Sequence, residues 1–294
     1  MSWKYALGIF VIANIVSVIL TGRVSKKTDK VIGDKSIAVF YQYMICSGLA
    51  ILYALFFGQG DTLRPAILAI GAFGVLNTFG NYFQWEAQGL SESKTPLFFP
   101  LFDIGDVILA MIFLGETKLW NSQLILGAGL CFLALWLFKI GAKGKKDENL
   151  TLKWLLFIFL MVLVFATDGF VVKIFASEYP VSRSTLVVGW YVGSFIGTFP
   201  LLKLRKQKIT KIPVKTWFQI SMVSISVVAA IVLLFWTYQL GGPISLTLPV
   251  RAVGITIVPA LFGLFIVGER KGLTKKEWLG FLIGIIGGIL IILR

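Results

Sequence analysis

Residues 152–176 read LKWLLFIFLMVLVFATDGFVVKIFA. From Trp154 through Thr167 no side chain is ionisable. A hydrocarbon core about 30 Å thick takes about 20 residues of α-helix, at 1.5 Å per residue, to cross. This run is long enough to cross as one helix. Transmembrane barrels show alternating segments of about ten residues with a polar lumen face, whereas this run is continuous and twice as long. Working outward, comparable apolar runs cover residues 3–21, 36–57, 65–86, 92–114, 119–138, 184–202, 216–239, 244–267 and 277–293. The sequence therefore predicts an all-α membrane protein of ten transmembrane helices embedded in a lipid bilayer.

Composition excludes a water-soluble domain. Charged residues are 14% of the chain, hydrophobic residues 57%, and the mean hydropathy is +0.87, against roughly 25% charged in ordinary soluble domains. Lys4 ahead of the first run could suggest a signal peptide, but no small-x-small cleavage pattern follows, and the run is read as a true span. The net charge of +14 would suggest nucleic acid in a soluble protein, but the basic residues sit in short loops and act as topology signals. No nucleic-acid partner is expected. Of the 28 Lys and Arg residues, 21 fall in the odd-numbered connections. The positive-inside rule then places both termini on the non-cytoplasmic side of a cell (inner) membrane. Cys46 and Cys131 have apolar neighbours and no ligand spacing, so they read as small packing residues. There is no histidine, which excludes HExxH metalloproteases, His-based triads and histidine proton relays. No Walker A loop or G-x-S-x-G is present either. No enzyme, metal or cofactor is expected.

Sliding the chain against itself by 153 positions sets Pro96 on Pro249, Gly115-Glu116 on Gly268-Glu269, and Gly127 on Gly280. A repeat of five spans is odd in number, so the second copy enters the membrane inverted. Residues 1–141 form the first five-helix repeat, 142–151 a basic linker around Lys145 and Lys146, and 152–294 the second repeat. Inverted repeats are the usual construction of secondary transporters, with the solute site at the midplane between copies. Hairpins of the third and fourth spans and of the eighth and ninth are expected to pack together around that site. Gly280, Gly284 and Gly288 form small-xxx-small steps that suit packing against the fifth span at Gly127 and Ala128, with homodimerisation as the alternative use. The chain is thus a monomer or homodimer.

The segment Phe113-Leu114-Gly115-Glu116 before a span near Trp120, and Ile266-Val267-Gly268-Glu269 before Trp278-Leu279-Gly280, resembles the paired signature of the EamA-type drug/metabolite transporter superfamily. The resemblance covers essentially the whole chain in span number, repeat and loop lengths. It implies a ten-helix fold with a central cavity and alternating access, and substrates ranging from amino acids to nucleotide sugars and cations. One departure is the first span, which reads Val11-Ile12-Ala13-Asn14 where members often carry a tryptophan-glycine pair.

Ionisable groups inside a membrane are costly, so each is a candidate for function. Asp103 and Asp106, three apart, share a helix face in the fourth span. Two close carboxylates resist joint ionisation and can hold a proton or cation; the alternatives are capping a kink or pairing with Arg251. Arg251 cannot shed its charge and needs a carboxylate, carbonyls or an anionic solute beside it. Its repeat equivalent is Phe98, so the fold itself does not require a cation there. Asn77, Asn81, Gln84 and Gln88 draw one polar stripe down the third span, either as helix glue or as the lining of a path. Asn14 and Asp168 sit at comparable depths in the two halves, and Asp168 either couples an ion or pairs with Lys173. Substrate binding is thus assigned to Asn14, Asn77, Asn81, Gln84, Asp103, Asp106 and Arg251, and ion coupling to Asp103, Asp106 and Asp168. With both signs of charge available, the expected function is secondary transport of a small-molecule solute, such as an amino acid or other zwitterion, with a coupling proton or ion. The alternatives are transport of organic cations or of anions, and a membrane assembly or lipid-handling role.

Overall fold

Backbone placed in hydrocarbon has no water to bond, so an apolar run must satisfy its own N–H and C=O groups as helix. The computed structural model of the chain describes residues 2–58, 65–114, 122–142, 148–179, 181–242, 244–269 and 273–292. Among the described residues there are helices and no strands. In chain order they are α1 (Trp3–Val31), α2 (Lys35–Phe57), α3 (Ala66–Leu90), α4 (Pro100–Leu114), α5 (Ser122–Ala142), α6 (Glu148–Phe165), α7 (Asp168–Lys173), α8 (Arg183–Leu204), α9 (Val214–Gln239), α10 (Ile244–Leu261) and α11 (Lys275–Ile292). A 3₁₀ turn at Thr95–Phe98 precedes α4, and π-helical turns at Ile174–Glu178 and Phe262–Ile266 extend α7 and α10. Six stretches are long and apolar enough to cross a membrane: Trp3–Thr28, Lys35–Phe57, Ala66–Leu90, Thr151–Ala176, Arg183–Leu204 and Val214–Gln239. The Gly115-Glu116 pair and residues 143–147 of the 142–151 linker lie outside the described residues, and the rest of that linker is helical, in α5 and α6.

The distribution of polarity is the reverse of a water-soluble protein's. Leu55, Phe56, Phe132, Phe159 and Phe218 each expose more than half of their surface, while Gln42, Asn77, Asn81, Ser194, Thr198 and Ser224 are buried. Apolar side chains outside and hydrogen-bonding side chains inside suit a helical protein solvated by lipid, where polar groups bond between helices.

Glycine decides which helices touch. α3 lies along α8 and α6, α1 along α9 and α10, α2 against α8 and α9, and α5 along α11. A Cβ on Gly193 of α8 would overlap the Gly71 carbonyl of α3, and one on Gly74 would overlap the Trp190 carbonyl. The expected hairpin pairing therefore does not describe the contacts of α3, whose small face is taken by α8. In α11 a Cβ on Gly287 would stand 2.8 Å from the Gly127 oxygen of α5, and one on Gly280 3.3 Å from the Ala134 oxygen. Of the small-residue stripe, Gly280 and Gly284 thus face α5 of the same molecule, whereas Gly288 faces Pro100 of α4 and Thr256 of α10. Cys46 and Cys131 are free and buried.

One helix is broken where its sequence turns polar. Between α6 and α7, Ala166 and Thr167 form a turn, and α7 restarts at Asp168. The first N–H groups of a helix lack intrahelical partners. Here Oδ1 of Asp106 on α4 accepts the Phe170 N–H at 2.8 Å. Gly105 and Gly169 make the approach possible: a Cβ on Gly105 would overlap Ala166, and one on Gly169 would overlap the Asp106 carboxylate.

The ends of the helices joined by the basic loops are tied by charge. Glu269, just beyond the second π turn, accepts from Ser91 Oγ (3.1 Å), Glu92 N (3.1 Å), Ser93 N (3.0 Å), Ser93 Oγ (2.5 Å) and Lys26 Nζ (3.1 Å). Burial alone would raise the Glu269 carboxyl, but the Ser93 side chain and backbone, Lys26 and the Glu92 N–H together hold it below the usual glutamate range. Burial raises the neighbouring Glu92, with the Glu269 charge adding to the effect and Lys26 opposing it. Lys94 Nζ meets Glu277 at 2.7 Å, and the buried Lys35 meets the buried Glu86 at 3.2 Å. Asp34 caps α2 through the Ser36 N–H at 2.8 Å and pairs with Arg205 at 2.9 Å. Burial works against the ionised form of Asp34, but the Ser36 and Arg205 bonds outweigh it and hold its carboxyl low.

Candidate functional site

Helix lengths place the middle of α1, α3, α8 and α9 beside the break at Thr167, and a cavity of about 150 Å³ lies there. That is well above the roughly 15 Å³ that one water needs, so it has room for several waters. α1 contributes Asn14, Ser17 and Thr21, spaced three and four apart on one face; α3 contributes Asn77, Asn81 and Gln84 on the face opposite. Aromatic walls come from Phe10, Tyr43, Phe102, Phe165, Trp190 and Tyr191. The charged groups of the lining are Asp168 and Arg251.

Asn77 organises the acidic end. The indole N–H of Trp190 can only donate, so the Asn77 amide atom 3.1 Å from it is the oxygen. That oxygen also accepts from the Tyr43 hydroxyl at 2.9 Å, and the amide NH₂ then donates to Asp168 Oδ2 at 3.1 Å. The orientation is assigned from the partners' chemistry, as side-chain amides generally must be. Below it, Asn81 and Trp85 both donate to Gln42 Oε1, at 2.8 and 2.9 Å. Tyr191 donates to the Val227 carbonyl at 3.0 Å. These bonds stiffen the wall and leave the Asp168 carboxylate facing the cavity.

Arg251, on α10, is partly buried, and its Nε is buried without a hydrogen-bond partner among the described residues. No ion pair within 4 Å joins it to Asp168. A guanidinium held in this way can take a planar oxyanion on its fork. The cavity thus offers both a guanidinium and a carboxylate among aromatic walls.

Of the residues assigned from sequence, Asn14, Asn77, Asn81, Gln84, Asp168 and Arg251 meet at this cavity. Asp106 does not line it: its carboxylate is turned to the backbone of the broken helix, as described above. The side chain of Asp103 lies outside the described residues. Asp168 bonds to Asn77 and lines the cavity. Gln88, the last member of the polar stripe, leaves the cavity and donates to the Val18 carbonyl at 3.3 Å. Sequence reasoning missed Ser17 and Thr21, although their spacing from Asn14 marked the same helix face. Tyr43, Trp190 and Tyr191 had no local signal, because aromatic residues are common throughout these spans.

No protein-family model matches the chain, and no curated protein matches it. Solved structures do match in shape. One crystal structure, described only as that of a protein, aligns with a TM-score of 0.61 at 13% identity over 97% of this chain and 96% of that one. That likeness shows a shared fold along nearly the full length of both chains.

Proposed function

We propose that this protein is a secondary transporter that moves a small amphoteric solute across a bilayer by alternating access through the central cavity. The observation that carries the reading is a mid-depth cavity with opposite charges, Asp168 and Arg251, inside a molecule whose outside is apolar. Charges at that depth are costly unless they serve a solute or an ion path. An amino acid or similar zwitterion would set its carboxylate on the Arg251 fork and its ammonium on Asp168, between aromatic walls.

The packing pattern supports ten spans arranged as two inverted halves. Counting α6 with α7, and α10 with its π turn, as single spans, exchange of the halves maps α1 on α6, α2 on α8, α3 on α9, α4 on α10 and α5 on α11. Under that exchange the α5–α11 and α2–α8 contacts return to themselves. The pairs α1–α9 and α3–α6 exchange, as do α3–α8 and α2–α9. The halves on this reading are residues 1–141 and 152–294, with the basic loops on the cytoplasmic face of a cell membrane. The likeness to EamA-type transporters belongs to the same proposal and rests on the two Gly-Glu span ends.

The test is thermal stabilisation of the purified protein by a panel of amino acids, amines and carboxylates. A ligand at 100 times its dissociation constant stabilises by about 2.7 kcal/mol. Zwitterions are expected to stabilise where matched amines and acids do not, and Arg251→Ala and Asp168→Asn each to abolish the effect. A panel in which no zwitterion acts, or in which both variants respond like the native chain, overturns the reading.

A further inference from the structure

The cavity ends against a polar seam that leads nowhere in this structure. Past Thr21 and Gln84 the contact of α1 with α3 toward the basic loops carries the buried polar Gln88, Ser25 and Glu92 beside the apolar Val24 and Ala87, where a wholly apolar seam would seal more cheaply. Gln88 is 1% exposed, and its Oε1 has no hydrogen-bond partner. A buried amide oxygen left unpaired is disfavoured, and it is explained if the seam opens to water in another state. Beyond it, Ser25 Oγ donates to the Trp85 carbonyl, and Glu92 lies over Gly22 of α1, at 3.3 Å from a Cβ there.

At the mouth of the seam stands Glu269. It belongs to the far end of the α10 span yet accepts from the α3–α4 connection and from Lys26 of α1. The preceding π turn brings it close: a Cβ on Gly263 would stand 2.6 Å from the Ser93 nitrogen. One side chain thus ties three elements together across the end of a polar seam.

We propose that Glu269 is the latch of a gate on the basic face, and that the α1–α3 seam through Gln88 is the stretch of solute path that the latch shuts. The inference rests on the alternating-access reading but is tested without any solute. Breaking the latch frees α1 and the α10 end to separate from α3, and water then reaches Gln84 and Thr21 from the basic side.

The experiment uses the full chain with Cys46→Ala and Cys131→Ala, carrying Gln84→Cys or Thr21→Cys, in vesicles with the basic face outward. A membrane-impermeant maleimide is added outside. The native latch should leave both probes nearly unlabelled, whereas Glu269→Ala should speed labelling about tenfold or more, since several charge-assisted hydrogen bonds are lost. Lys26→Gln, at a half-exposed residue, cuts the same latch from α1 and should act in the same direction. A control cysteine at Leu76, on the outer face, should stay unlabelled throughout. Melting curves check that each variant is folded, and if Glu269→Ala is not, Lys26→Gln decides. Rapid labelling of the native chain, or unchanged labelling in the folded latch variants, overturns the gate. If the probes become accessible while no solute is ever bound, the gate stands and the transport reading fails.

Discussion

Two side chains with fixed chemistry, Trp190 and Arg251, line the cavity, and on the proposed function they set what it recognises. The indole fixes which way the Asn77 amide points, and that amide in turn holds Asp168. Trp190→Phe keeps the ring and removes the donor, so it should cost about 1 kcal/mol of stability, the net worth of one hydrogen bond. It should also weaken binding of the stabilising zwitterion, because the amide is then free to turn its oxygen toward Asp168. A titration of melting temperature against ligand measures both effects. Arg251→Lys keeps the charge and loses the planar fork. A carboxylate ligand held bidentately should bind about tenfold or more weakly to this variant, because charge-assisted bidentate pairs are among the strong hydrogen bonds. Equal affinity in the two chains would mean that Arg251 only balances charge in the bundle.

At the scale of the elements, close helix approach is bought by missing side chains at α3–α8 and at the α4–α7 contact. Gly193→Ala would press a methyl group into the Gly71 carbonyl, and overpacking of this kind costs about 1–3 kcal/mol. Gly48→Ala offers a matched comparison, since nothing stands within 4 Å of a Cβ there. It should be neutral or stabilising by up to about 1 kcal/mol, as alanine is the better helix former. Reversible unfolding in mixed detergent compares the two. Helix positions were legible in the sequence because hydrocarbon thickness fixes the length of an apolar run, and the breaks were not. The break after Phe165 exposes the Phe170 N–H, and its partner is Asp106, 64 positions earlier in the chain. A local reading of the fourth span saw Asp106 as a cavity carboxylate, since spacing gives a helix face but not the neighbour it meets.

For the molecule as a whole, the carboxylates at the basic face set the response to acid. Asp34 and Glu269 are held below their ordinary values. On unfolding each returns to its ordinary value and takes up protons in mild acid. Their contribution to stability is therefore fully present above the ordinary carboxylate range, near pH 4, and is lost as pH falls through their depressed native values. The melting temperature should drop across that window, and Asp34→Asn with Glu269→Gln should flatten the drop while lowering the neutral-pH plateau. An unchanged acid limb in the double variant would assign the loss to other groups.

The sequence by itself determined that this chain is helical and apolar-faced, where its apolar runs lie, and which residue types could hold charge in the membrane. Those properties follow from chain-local quantities: run length against hydrocarbon thickness, period, and the cost of an ionisable side chain in lipid. Only the tertiary structure decided that Asp168, and not Asp106, shares the cavity with Arg251. It alone brought Tyr43, Trp190 and Tyr191 to the wall and carried Glu269 to the α3–α4 connection. Each of these depends on the rotation of one helix against another and on contacts between residues far apart in the chain, which glycine-mediated packing fixes and no local pattern encodes.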